Sequence, residues 1–100
     1  MFVLHVDIKV KPGLEPSLEK TYTENFRPAI SAQPGFGGVQ LLRSRDAGGA
    51  YRLTIAFDRQ ASQQTWIATD LHQQVWPQME DRFAECSIQY YDTVERGGVS

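Results

Sequence analysis

Cysteine is almost missing from this chain: Cys86 is the single one. An internal disulfide is therefore impossible, and a cysteine-rich zinc site is excluded with it. No apolar run approaches the roughly 20 residues that cross a bilayer as a helix. The opening residues, Met-Phe-Val-Leu-His-Val-Asp, lack the basic stretch and apolar segment of a signal peptide. Positive charge is not in excess either. The 10 Lys and Arg are outnumbered by 12 Asp and Glu, for a net charge of −2, which argues against nucleic acid and anionic membranes as partners. No Gly-rich nucleotide fingerprint opens a helix, and neither a phosphate-binding loop nor a Ser nucleophile motif is present. His5 and His72 do not have metal-ligand spacing to the acidic residues. These absences leave the expectation of a soluble cytoplasmic protein without metal. Its 100 residues make one domain over 1–100. Such a chain buries roughly two-thirds of its unfolded surface, so pairing with a second copy adds useful burial.

What is present is organised around Ser31 to Phe57. There a helix end and the turn Pro34-Gly35 lead into two strands, Phe36 to Arg45 and Tyr51 to Phe57, joined by Asp46-Ala47-Gly48-Gly49. Glycine in that turn supplies positive φ for a hairpin. Both strands carry apolar and polar residues on both faces, so neither face of the hairpin reads as freely solvated. Before it, Phe2, Leu4, Val6, Ile8 and Val10 alternate with Val3, His5, Asp7, Lys9 and Lys11. This is the period of a strand with an apolar and a polar face. Leu14, Leu18, Tyr22, Phe26 and Ile30 then repeat every fourth residue as one face of a helix. Pro28 conflicts with that pattern and predicts a kink or break near Glu24 to Pro28.

After the hairpin, Asp58 reads as the N-cap of a helix over about Arg59 to Ala68, and Thr69-Asp70 as the start of another. Leu71, Val75, Met79 and Phe83 recur every fourth residue, with Pro77 predicting distortion. The glutamines at 60, 63, 64, 73 and 74 read as a solvated helix face. A last strand spans about Cys86 to Val94, and Glu95 to Ser100 reads as a mobile tail. The order strand, helix, strand, strand, broken helix, strand is the ferredoxin-like βαββαβ pattern. It predicts an α+β fold, a four-stranded antiparallel sheet with helices on one face.

Three stretches carry a family resemblance: Val-Lys-Pro-Gly at Val10 to Gly13, Pro-Gly-Phe-Gly-Gly-Val-Gln-Leu-Leu-Arg at Pro34 to Arg43, and Phe-Asp-Arg-Gln-Ala at Phe57 to Ala61. Trp66, His72 and Trp76 extend it. The chain resembles the antibiotic biosynthesis monooxygenase (ABM) family of the dimeric α/β-barrel superfamily. The resemblance implies a homodimer whose sheets close into a barrel, with a pocket between sheet and helices in each subunit. Many members oxidise quinols or phenols with molecular oxygen and no cofactor. An electron-rich phenolate reduces oxygen itself, so the protein need only deprotonate it, hold it in a dry cavity and place oxygen beside it.

The candidate residues follow from that chemistry. Trp66 occupies the segment where family members place a pocket tryptophan, and it is equally compatible with plain core packing. His72 suits a base because its ordinary pKa lies near neutrality; a first-turn helix position with no chemistry is its alternative. Asp7 is the second candidate for proton transfer, or else the partner of a Lys or Arg. Tyr22, Phe26 and Trp76 are candidate pocket walls. Arg43 is placed to bind an anionic substrate or to tie the hairpin by an ion pair. Cys86 reads as a small core residue.

Heme-degrading relatives carry an Asn on the first strand and an iron-ligating His about ten residues after the tryptophan. Those places hold Val6 or Asp7, and Val75 or Trp76, so heme degradation ranks below the other readings. The leading expectation is a cofactor-independent monooxygenase-like enzyme acting on a quinol or related aromatic. A non-catalytic binding or stress-related dimer is the alternative. A small-metabolite isomerase is another, and it requires His72 and Asp7 to meet in one pocket.

Overall fold

The computed structural model describes residues 1–97. Strand β1 (Phe2–Val10) leads into helix α1 (Glu15–Thr21), a π-helical segment (Tyr22–Phe26) and helix α2 (Arg27–Ser31). Strands β2 (Phe36–Arg43) and β3 (Ala50–Phe57) form the hairpin. Helices α3 (Gln60–Ile67) and α4 (Asp70–Glu80) follow, and strand β4 (Phe83–Asp92) closes the sheet. The strand order is β2-β3-β1-β4, with every neighbouring pair antiparallel. This is the ferredoxin-like α+β fold that the element order predicts.

Period two in β1 is realised as expected. Phe2, Leu4, Val6, Ile8 and Val10 are all buried, and the residues between them are not. In register, Leu4 pairs with Ile55, Val6 with Leu53 and Ile8 with Tyr51, so the apolar residues of the two central strands share the face that the helices cover. Leu18, Phe26, Ile30, Trp66, Val75 and Met79 complete the core from the helical side. The sheet's other face presents Val3, His5 and Asp7 beside Ala56, Thr54 and Arg52.

The break expected near Glu24 to Pro28 takes the form of the π segment. The Arg27 N–H donates to the Tyr22 carbonyl, five residues back, a wider turn than the α-helix makes. Pro28 then falls in the first turn of α2, where its missing donor is tolerated. Pro77 behaves differently from the expectation. Helix α4 runs through it unbroken, because only three residues follow and buried Val75 and Met79 hold the turn on either side.

The N-cap expected at Asp58 lies one residue later, at Arg59, which makes no side-chain cap. The Asp58 carboxylate instead accepts from Ser62 Oγ at 2.5 Å. Gly35 beneath this contact has φ +77°, and a Cβ there would stand 2.5 Å from both Asp58 Oδ1 and Ser62 Oγ. Only glycine fits that turn. The hairpin strands start and stop within two residues of expectation, while β4 begins three residues earlier, at Phe83. Glu95 to Gly97 have no regular structure; residues 98–100 of the expected tail lie outside the described residues. No helix among the described residues is long and apolar enough to cross a membrane.

Candidate functional site

Between the helix-covered face of the sheet and helices α3 and α4 lies a cavity of about 250 Å³. Leu4, Val6, Ile55 and Phe57 form its floor, Ile88 and Tyr90 of β4 its open side. Phe26, Trp66, Ile67 and Trp76 wall it, and Gln63 and His72 bring polar atoms to it. Ile88 and Tyr90 belong to the face that should be buried, since they pair with Val6 and Leu4. Yet they are 43% and 58% exposed: helix α4 meets β4 only near its start, where Trp76 packs on Phe83 at 5.8 Å, and the uncovered stretch beyond is the cavity's mouth.

The local sequence around α3 and α4 explains how the walls are held. Trp66, 3% exposed, is the last apolar anchor of α3. The chain turns at Ala68 and restarts at Thr69, the N-cap of α4. Thr69 Oγ1 accepts the His72 backbone N–H at 3.1 Å and donates to the Trp66 carbonyl at 2.7 Å. One hydroxyl thus ties the backbone of the wall tryptophan to that of the histidine. The imidazole lies edge-on to the Trp66 indole, with ring centres 5.0 Å apart and planes at 87°. It stacks on Trp76 at 6.2 Å with planes at 19°. Phe26 touches both tryptophans, at 6.3 and 5.7 Å.

Burial lowers the pKa of His72 below the ordinary imidazole value. The geometry agrees, because Nδ1 is shut off from water and has no hydrogen-bond partner. A charged ring needs acceptors at both nitrogens, and here one finds none. The side chain is therefore neutral at pH 7, and Nε2 is the nitrogen left to exchange protons with the cavity. Among the described residues, no Lys, Arg, Asp or Glu lines the cavity.

Four of the residues singled out in the sequence meet here: His72, Trp66, Phe26 and Trp76. Three do not. Asp7 is on the opposite face of the sheet, where its Oδ1 accepts from Arg52 Nε at 2.7 Å. It cannot pair with His72 across the sheet, because an odd position on β1 points away from the side that carries the cavity. Tyr22 packs against Phe26 at 6.4 Å but stands outside the lining, and burial raises its pKa. Arg43 is held by a two-pronged pair with Glu19 of α1, at 3.0 and 2.8 Å. Tyr51 donates to the same carboxylate at 2.5 Å. The Arg43 hydrogen bond and then the Tyr51 one hold the Glu19 pKa below its ordinary value. Arg43 thus locks the hairpin to α1, on a part of the surface away from the cavity. Cys86, expected in the core, is exposed at the outer strand.

Gln63 is the residue that the sequence reading missed. Among the glutamines assigned to a solvated face, it is 5% exposed and lines the cavity. The available signal was its spacing, since it precedes Trp66 by three residues and so shares its helix face.

Compared with known families, residues 1–77 match the sequence model described as antibiotic biosynthesis monooxygenase. No curated protein matches the chain. Among solved structures, a protein from Caulobacter crescentus CB15 named for these monooxygenases superposes with a TM-score of 0.83 at 23% identity, over 94% of this chain and 90% of that one. One from Bordetella bronchiseptica gives 0.81 at 23%, over 94% and 98%. SnoaB, a cofactor-independent oxygenase from Streptomyces nogalater, gives 0.85 at 14%, over 95% and 94%. At these identities the likeness is one of fold.

Proposed function

Because the chain belongs to the antibiotic biosynthesis monooxygenase family, we propose that its cavity is the site of a cofactor-independent monooxygenase-like reaction. In this reading a quinol or related aromatic is oxidised there by molecular oxygen. The observation that carries the reading is a neutral His72 set between two indoles in a cavity otherwise lined by apolar side chains and one amide. Aromatic walls with few polar groups suit a flat substrate.

The chemistry proceeds from what these side chains supply. Nε2 of His72 takes the proton of a ring hydroxyl, leaving an electron-rich phenolate between the aromatic walls. The phenolate passes an electron to oxygen, and recombination at a ring carbon forms a peroxide. Loss of water from that carbon leaves a carbonyl. One oxygen atom thus ends in the quinone and the other in water, and the substrate supplies all four electrons. The dry walls keep the anion from being reprotonated by bulk water. The proton on the imidazole returns to the departing peroxide oxygen, so the lowered pKa of His72 helps it to let go.

A second copy, expected from the sequence, would pack on the face remote from the cavity. That face offers Val3, Thr54 and Ala56 with exposed Leu42 and Tyr91 around the Asp7–Arg52 pair. A homodimer joined face to face would cover it. The isomerase alternative loses its support, because it needs Asp7 and His72 in one pocket.

Oxygen uptake by chelator-treated protein with a panel of reduced quinones tests the reaction. The expected result is a saturable rate above autoxidation that falls at least tenfold in His72→Phe, about 1.4 kcal/mol of transition-state stabilisation. A rate no higher than background across the panel removes the reading for these substrates and favours a non-catalytic binding protein of the same fold.

A further inference from the structure

We propose that Gln63 is the residue that selects the cavity's ligand, by hydrogen-bonding an oxygen carried on its aromatic ring. This deepens the reading of the cavity as an aromatic-binding site and rests on it.

Gln63 is one of only two polar side chains that are buried outright among the described residues; the other, Thr21, lies on α1. Its neighbours Gln60 and Gln64 on α3 are exposed, so burial here is a property of the position and not of the residue type. The position faces the sheet, three residues ahead of Trp66, where packing alone would be served by Leu or Met. An amide carries two donors and an acceptor with two lone pairs, and buried polar groups are nearly always satisfied. Gln63 makes no side-chain hydrogen bond to any other described residue, yet it lines the cavity. Its free valences therefore belong to whatever occupies that space. A ring hydroxyl or carbonyl takes them when ligand binds, in the role water plays at polar sites.

The amide also differs in kind from His72. The imidazole offers one accessible nitrogen, which in a neutral ring accepts or donates but does not do both. The amide both donates and accepts, so it holds a ring oxygen before and after that oxygen loses its proton. With no charged residue in the lining, such neutral hydrogen bonds are what separates an oxygenated ring from a bare one. A site built to bond an oxygen rejects the analogue lacking it far better than an apolar pocket rejects a methylene.

Calorimetric titration with two probes of similar shape, 1-naphthol and 1-methylnaphthalene, reads this directly. Wild type is expected to bind 1-naphthol about tenfold more tightly than its methyl counterpart. Gln63→Met keeps length and volume but removes the amide, and is expected to bring the two affinities within about twofold of each other. Gln63→Asn draws the amide back by one methylene and is expected to lose discrimination likewise, which serves should the Met variant fail to fold. If wild type discriminates and the folded variants discriminate equally well, Gln63 does not read the ligand and the inference falls alone. If wild type binds neither probe, the aromatic-site reading falls and takes this inference with it.

Discussion

At the scale of single residues, the cavity takes its shape from a tryptophan, and the proposed chemistry rests on a histidine. Trp66 is 3% exposed and touches both Phe26 and His72. Trp66→Ala is expected to destabilise the fold by about 3–5 kcal/mol, read by urea unfolding, and to abolish quinol turnover in whatever fraction stays folded. His72 sets the pH response. Its folded pKa is depressed by burial, so below the ordinary imidazole value of about 6.5 the unfolded chain takes up a proton that the folded chain refuses. Stability is therefore whole above about pH 6.5, declines as pH falls toward the folded pKa, and levels off below it. The acid limb of kcat/KM reports the folded imidazole, so its midpoint should lie below the ordinary value of about 6.5. His72→Phe should flatten this stability step; a step that survives the substitution belongs to another group. Residue identity in the sequence made His72 and Trp66 visible. The failure of Asp7 was also legible, because its odd position on β1 opposes the apolar even face. What could not be read was the mouth of the cavity, since Ile88 and Tyr90 are defined by a helix that is not above them.

At the scale of elements, the hinge between α3 and α4 and the π segment do the positioning. Thr69→Ala removes the hydroxyl that holds the His72 N–H and the Trp66 carbonyl. The expected loss is about 1 kcal/mol of stability in urea unfolding, most of it restored by Thr69→Ser. The Thr69-Asp70 start was plain in the sequence because capping is local chemistry. The π segment was half legible. Pro28 signalled a disturbance, but its form lay in the spacing of Leu14, Leu18, Tyr22, Phe26 and Ile30. A strict four-residue repeat runs about 40° ahead of an α-helix at every step. A wider turn recovers part of that drift and keeps Phe26 and Ile30 on the core, both at most 1% exposed. Pro77 carried the same sequence signal without the same result, because tertiary packing decides when a helix tolerates its proline.

At the scale of the whole molecule, one sheet separates two surfaces with different work. The helical side holds the core and the cavity. The other side carries the Asp7–Arg52 pair at 2.7 Å among polar residues such as His5, Gln40 and Gln89 and apolar ones such as Val3 and Leu42, with the hydrogen bond from Arg52 and then the carboxylate's charge raising the guanidinium pKa. If a second copy covers this face, sedimentation gives twice the chain's mass at micromolar concentration. Thr54→Arg, a long cation in the middle strand, then gives a monomer that still folds. A wild-type monomer at all concentrations contradicts the face-to-face pairing. The fold class could be read from element order alone, because a split βαβ repeat with one hairpin leaves few antiparallel arrangements. The face proposed for a second copy could be read only as an imbalance of mixed strands, which does not say what packs on them.

Both tryptophans of the chain lie within ring contact of the same imidazole, at 5.0 and 6.2 Å. No indole elsewhere contributes background emission. A charged imidazole accepts an electron from an excited indole and a neutral one does so poorly, so intrinsic fluorescence is tied to the charge of one side chain. Acidification that protonates His72 is expected to dim it, and an electron-poor ring entering the cavity is expected to quench it by lying against the indoles. The protein is thus its own optical probe, reporting at one wavelength the titration of its histidine and the filling of the space beside it.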